Sequence, residues 1–294
     1  MSVVLALGAA MVFGSADFLG GLASRRRAAL AVALGTQAAG FAALLVALPL
    51  LPAAVVAPRD ILLGALGGLF GASGVVLLFR CLAKGPMSVV APVAALTASV
   101  VPILAGVFQG ERPGAAAIAG IGVALVAVVL ITREGDEAPV PDVDPDGALA
   151  AARPVRADLE VVGTALAAGA LFGLFFVCLH HTGDDAGLYP LLGARLASVP
   201  FLALLVAARG DGLREAFTGR GLPTVVISGV LDMAANVLFL IALRHGLLAV
   251  VSAITGLYPA ATVLLAQTVL DERMRRTQVA GLAVAAVAAT LVAV

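Results

Sequence analysis

Three charged residues lie inside long apolar runs: Asp17, Arg195 and Asp232. Facing hydrocarbon, such a group costs roughly 2.5–3.5 kcal/mol, so each is expected to face protein interior or water, and to face the others. Asn236 follows Asp232 by four residues, which puts both on one face of a helix. A carboxylate stacked with a carboxamide suits an amine, a hydroxyl or a proton. The other reading of Asp232 is an ion pair with Arg195 that locks two helices together. Arg195 offers a fixed fork for a carboxylate, either Asp232's or a substrate's. Asp17 sits in GSADFLGG among small residues that leave space beside it. It either titrates, helps bind a cationic group, or ends a short first span near the interface.

The elements that must position these groups follow from composition. Of the 294 residues, 62% are hydrophobic and 12% charged. The mean hydropathy is +1.11. No water-soluble core absorbs that excess. A helix needs roughly 20 mostly apolar residues to span a bilayer. Ten segments qualify: about 2–22, 29–51, 61–82, 86–108, 115–132, 159–180, 188–208, 222–243, 247–269 and 277–294. In lipid every backbone polar group must be satisfied internally, so these runs read as helices. The fold class expected is an all-α integral membrane protein of ten transmembrane helices.

The ten spans fall into two related groups of five. Glu111-Arg112, Ala119-Gly120 and Val123-Ala124 recur 161 residues later as Glu272-Arg273, Ala280-Gly281 and Val284-Ala285. The same offset carries Leu82, Gly85 and Val89-Val90 onto Leu243, Gly246 and Val250-Val251. An offset of 158 matches Leu34-Gly35 with Leu192-Gly193, and 159 matches Phe13-Gly14 with Phe172-Gly173. Residues 1–132 and 159–294 are therefore expected to be two repeats, joined by an acidic, Pro-rich linker at 133–158 without regular structure. Five spans per half is odd, so the second half enters from the opposite face. Inverted repeats of this kind mark many secondary transporters, whose substrate site lies near the midplane between the halves.

The repeat sharpens the candidates. Gly71 and Val75 stand where Asp232 and Asn236 stand, so the polar pair is peculiar to the second half. Gln37 aligns with Arg195, so both halves place a polar group there. Tyr258 and Pro259 lie inside the ninth span, and Pro92 and Pro102 inside the fourth. Proline frees a carbonyl and kinks a helix, and interrupted helices line transporter sites. Thr97, Ser99, Thr255 and Ser73 are weaker candidates, because span hydroxyls commonly bond back to their own helix. Gly64/Gly68 and Gly67/Gly71 form GxxxG pairs suited to close helix packing.

Glu111 and Glu272 sit at corresponding corners, either capping the following helix or gating with a nearby Arg. His180-His181 and Asp184-Asp185 lack further ligands at suitable spacing, so no metal and no other cofactor is expected. Cys81 and Cys178 read as small apolar fillers. With zero net charge and no basic patch, nucleic acid is not an expected partner. The expected partners are a small-molecule substrate and the lipid bilayer, in a monomer or homodimer. No basic region precedes the first run, which reads as a retained span. Loops after odd-numbered spans hold fourteen basic residues, and those after even-numbered spans three. The positive-inside rule then places both termini outside.

Each half ends in an apolar span, a Glu-Arg corner and a Gly-containing span. The stretches are GVFQGERPGAAAIAGIGVALVAVV and TVLLAQTVLDERMRRTQVAGLAVAAVAA, preceded by CLAKGPMSVVAPVAAL and ALRHGLLAVVSAITGLYPA. This pattern resembles the EamA-type transporters of the drug/metabolite transporter superfamily, over all but the linker. The resemblance implies export or exchange of small metabolites by alternating access, with amino acids, related compounds or drugs as the candidate classes, and both termini in the cytoplasm, opposite to the charge count. The Ala-, Gly- and Arg-rich composition points to a GC-rich bacterial genome, hence a plasma-membrane location. Asp17 and Asp232 make proton coupling plausible. The alternative class is a membrane enzyme acting on a lipid-borne substrate. Against it, the single Asp-Asp pair lies in a loop and no phosphate-binding glycine loop is present.

Overall fold

The computed structural model describes residues 1–50, 53–85, 87–112, 114–132, 139–143, 149–154, 159–209, 213–219, 221–270 and 276–293. The first half holds α1 (Ser2–Ser24), α2 (Ala29–Ala47), α3 (Pro58–Lys84), α4 (Met87–Phe108) and α5 (Ala115–Thr132). The second holds α6 (Leu159–His180), α7 (Tyr189–Ala208), the short α8 (Leu213–Phe217), α9 (Leu222–Leu243), α10 (Leu248–Thr255), α11 (Pro259–Leu270) and α12 (Arg276–Ala293). Among the described residues, eight segments are long and apolar enough to cross a membrane. They are α1 to α4, α6, α7, α9 and the stretch Leu248–Val269. The apolar ends of the two halves, α5 and α12, lie side by side.

Local chemistry sets several helix ends. Pro58 opens α3, where the missing N–H costs nothing, and the Asp60 carboxylate accepts the Ala57 N–H at 3.3 Å. Pro190 and Pro223 stand at the starts of α7 and α9 in the same way.

Two features depart from expectation. The ninth span is not one helix. It breaks at Gly256, Leu257 and Tyr258, between α10 and α11. Glycine weakens helix here, and Pro259 both lacks an N–H and disfavours helical geometry at Tyr258. By contrast α4 runs unbroken through Pro92 and Pro102. The linker also carries regular structure: Pro139–Val143 pairs antiparallel with Leu149–Pro154.

The halves interleave. α1 packs on α9, and α6 on α3. α3 packs on α7, and α9 on α2. α4 packs on α6, while α1 meets α10 and α11. Glycines allow this closeness: a methyl group at Gly68 would strike the Ala194 backbone, and one at Gly229 the Thr36 backbone. Against α1, Ser228 of α9 donates to the Ala16 carbonyl at 2.8 Å, and Thr262 of α11 to that of Gly14 at 3.0 Å.

Loop contacts sort the helix ends into two sets. At one end Arg27 donates to the Thr218 carbonyl at 2.7 Å, and Lys84 approaches Glu160 at 3.9 Å. At the other, the Gly183 N–H donates to Asp60 at 2.9 Å, Arg244 donates to the Gly187 carbonyl, and Glu111 reaches α10. Successive long helices therefore run back and forth between the two ends. The bundle's outside is apolar: Leu62, Leu204 and Phe108 are 68%, 68% and 86% exposed. That surface suits lipid and not water.

Candidate functional site

The helix midpoints surround one cavity with about 610 Å³ of empty space, counting the part that opens outward. Both halves build it. From the first come Phe13 and Asp17 of α1, Gln37 of α2, Gly68, Gly71, Ala72 and Val75 of α3, and Ala98 of α4. From the second come Phe172, Phe175 and Phe176 of α6, Ala194 and Arg195 of α7, Asp232 and Asn236 of α9, and Tyr258 at the helix break. All six polar residues singled out by type and spacing — Asp17, Gln37, Arg195, Asp232, Asn236 and Tyr258 — line this one space.

A polar network crosses one wall. Arg195 donates to an Asp232 carboxylate oxygen at 2.5 Å and, through its other terminal nitrogen, to the Gln37 side-chain oxygen. Ser198 donates to that same Gln37 oxygen at 3.0 Å. The ion pair anticipated for Asp232 is thus formed. Arg195 is 6% exposed and Gln37 3%, so their bonds run in a weakly screened medium. Nearby, Gly40 of α2 lets α9 come close, since a methyl group there would strike the Gly229 carbonyl oxygen. Asn236 turns its amide nitrogen back to the Asp232 carbonyl at 2.8 Å.

Several polar atoms in or near the cavity have no partner within the protein among the described residues. They are Arg195 Nε, Asn236 Oδ1 and the Tyr258 hydroxyl, with the Ser252 and Thr255 hydroxyls nearby on α10. Buried polar atoms are seldom left so, and each is a place for water or a ligand. Two of the weaker hydroxyl candidates bond back to their own helices, Ser73 to Leu69 and Thr97 to Val93.

Another part of the lining is aromatic, and sequence reasoning missed it. Phe176 stacks with Phe239 at 4.1 Å between ring centroids, and contacts Phe13 and Phe175 at 6.1 and 5.7 Å. The signal was present: Phe172, Phe175 and Phe176 stand at i, i+3 and i+4 on one helical face. In a run where nearly every residue is apolar, that periodicity has no contrast.

Glu111 caps a helix, but not the one that follows it. Its two carboxylate oxygens accept the Leu248 and Ala249 N–H groups at 2.7 and 3.0 Å, closing the start of α10 in the other half. No Arg gate forms with it among the described residues. Glu272 lies outside the described residues. At the same end a second, more polar cavity opens between His180, Asp184 and Arg244. Partial burial lowers the pKa of the Arg244 guanidinium, against the opposing pull of Asp184, Asp185 and Asp60. Among the described residues no three or more His, Cys, Asp or Glu side chains come together as a metal site.

Comparison with known proteins places this architecture. A family model described as "EamA-like transporter family" matches residues 1–133 and 160–294. A solved structure described only as "Crystal structure of protein" superposes with a TM-score of 0.63 at 18% identity, over 100% of this chain and 98% of that one. At that identity the likeness concerns the fold alone. No curated protein matches.

Proposed function

The chain belongs to the EamA-like transporter family, and we propose that it is a secondary carrier that exports small metabolites by alternating access. The observation that carries this reading is the cavity itself. It lies at mid-helix, takes walls from both halves, and gathers every charged side chain found well inside the spans. A carrier needs such a site, reachable from either side in turn, between two units that can rock against each other.

The packing supports ten helices arranged as two inverted repeats, 1–132 and 159–294. Shifting a contact by the repeat offsets reproduces another contact. Gly68 on Ala194 becomes Gly229 on Thr36, α1 on α9 becomes α6 on α3, and α4 on α6 becomes α10 and α11 on α1. Asp17, Gln37, Arg195, Asp232, Asn236 and Tyr258 form the binding site, and proton coupling runs through Asp17 or Asp232. The membrane is the bacterial plasma membrane.

The test is metabolite counterflow in proteoliposomes preloaded with a fractionated cell extract. Exchange by the wild-type protein, reduced in an Asp232→Ala/Asn236→Ala variant that still folds, is the expected result. Exchange in the variant equal to wild type moves the site away from α9. A folded protein that exchanges nothing from any fraction overturns the carrier reading.

A further inference from the structure

We infer that the cavity selects an organic monocation: an amine with an apolar body and no carboxylate. This rests on the carrier reading above and names the substrate class of that site.

Three charged side chains line the cavity among the described residues: Asp17, Arg195 and Asp232. With both acids ionised, their sum is one negative charge. Both terminal nitrogens of the cation are already committed, because Arg195 is held by Asp232 and by Gln37. Asp17 has no hydrogen-bond or ion-pair partner among the described residues. A carboxylate in so apolar a setting is neutralised by a proton or by a counter-charge, and no described residue supplies the counter-charge. A positive ligand does. Two further groups able to accept from an ammonium, Asn236 Oδ1 and the Tyr258 hydroxyl, are buried without partners.

The remainder of the wall sets the body of the ligand. Phe13, Phe172, Phe175 and Phe176 offer ring faces and edges, which suit an apolar group and attract a cation. Free donors are few: Arg195 Nε and the Tyr258 hydroxyl lack partners among the described residues. A substrate carboxylate would meet Asp17 and Asp232. It could take one bond from Nε, but a two-point contact with the guanidinium would have to displace Asp232 or Gln37 from a terminal nitrogen. Anions are therefore excluded by charge, and zwitterions gain an ammonium contact only to strand a carboxylate.

The test uses three probes with one ring system and different charge: tryptamine, tryptophan and indole-3-propionate. The chain contains no Trp, so indole fluorescence in equilibrium dialysis of the purified protein reports the probe alone. Protein-free micelles serve as the blank. Tryptamine should bind about tenfold or more tighter than either other probe. An Asp17→Asn variant with unchanged melting temperature should lose about tenfold or more of that binding. Tryptophan or indole-3-propionate binding as well as tryptamine overturns the inference, and so does no binding of tryptamine; both hold without any variant. The counterflow experiment separates the two readings. Exchange confined to zwitterions or anions removes the monocation and leaves the carrier, whereas no exchange of any compound removes the carrier itself.

Discussion

Arg195 donates to the side chain of Gln37, which precedes it by 158 residues, the offset that also carries Leu34-Gly35 onto Leu192-Gly193. In the two-repeat arrangement proposed above, a contact between a residue and its own counterpart lies where the halves meet. Here it lies in the wall of the central cavity. The equivalence is geometric and not chemical: one half supplies a charge, the other a neutral amide that accepts from it.

The network should behave as a coupled unit. Arg195→Ala leaves Asp232 as a buried charge with no partner, and should destabilise the folded protein by about 3–5 kcal/mol. Adding Asp232→Ala should recover much of that loss. A double-mutant cycle by thermal unfolding in detergent measures the coupling, and additive losses would show that the pair contributes nothing jointly.

The glycine seams should be intolerant of a single methyl group. Gly68→Ala and Gly229→Ala place that methyl against the backbones of Ala194 and Thr36. Each should cost about 1–3 kcal/mol. Gly122→Ala, where nothing lies within 4 Å, is the neutral control. Melting temperatures of the three variants check this.

Glu111→Ala should act on α10 and spare α5. It removes the acceptor for the Leu248 and Ala249 N–H groups. The expected loss is about 1 kcal/mol, the usual worth of a helix cap. Hydrogen exchange should rise at Leu248–Val251 and stay level across Ala115–Thr132.

Tyr258→Phe should separate stability from transport. The hydroxyl is buried and has no partner among the described residues, so deleting it should leave thermal stability within about 0.5 kcal/mol or raise it. Exchange in proteoliposomes should fall, because the group lost is one that faces the cavity.

Much of the site was legible because polar atoms are costly in lipid. Asp17, Arg195 and Asp232 stood out against long apolar runs, and Gln37 followed from Arg195 through the repeat. Their convergence on one cavity needed no further signal. The aromatic wall was hidden by the same physics, since a phenylalanine facing a cavity and one facing lipid look alike in sequence. The break after Thr255 was only half visible. Pro259 pointed to a kink, yet Pro92 and Pro102 pointed equally to one in α4, which runs on as a helix through both. The Glu111 cap was illegible in its target: an acid beside a helix start suggests the helix next in sequence, and tertiary packing brought a different one closer.

The interleaving of the halves sets a schedule for biogenesis. α1 rests against α9, and Ser228 bonds to Ala16 across 212 residues of chain. At about 5–20 residues per second, α9 leaves the ribosome roughly 10–40 s after α1. For that interval α1 sits in the bilayer with Asp17 and its glycine face uncovered. The nascent first half must be sheltered by lipid headgroups, by the insertion machinery or by transient pairing among its own helices, so a substitution that spares the finished fold can still lower the yield of protein that reaches it.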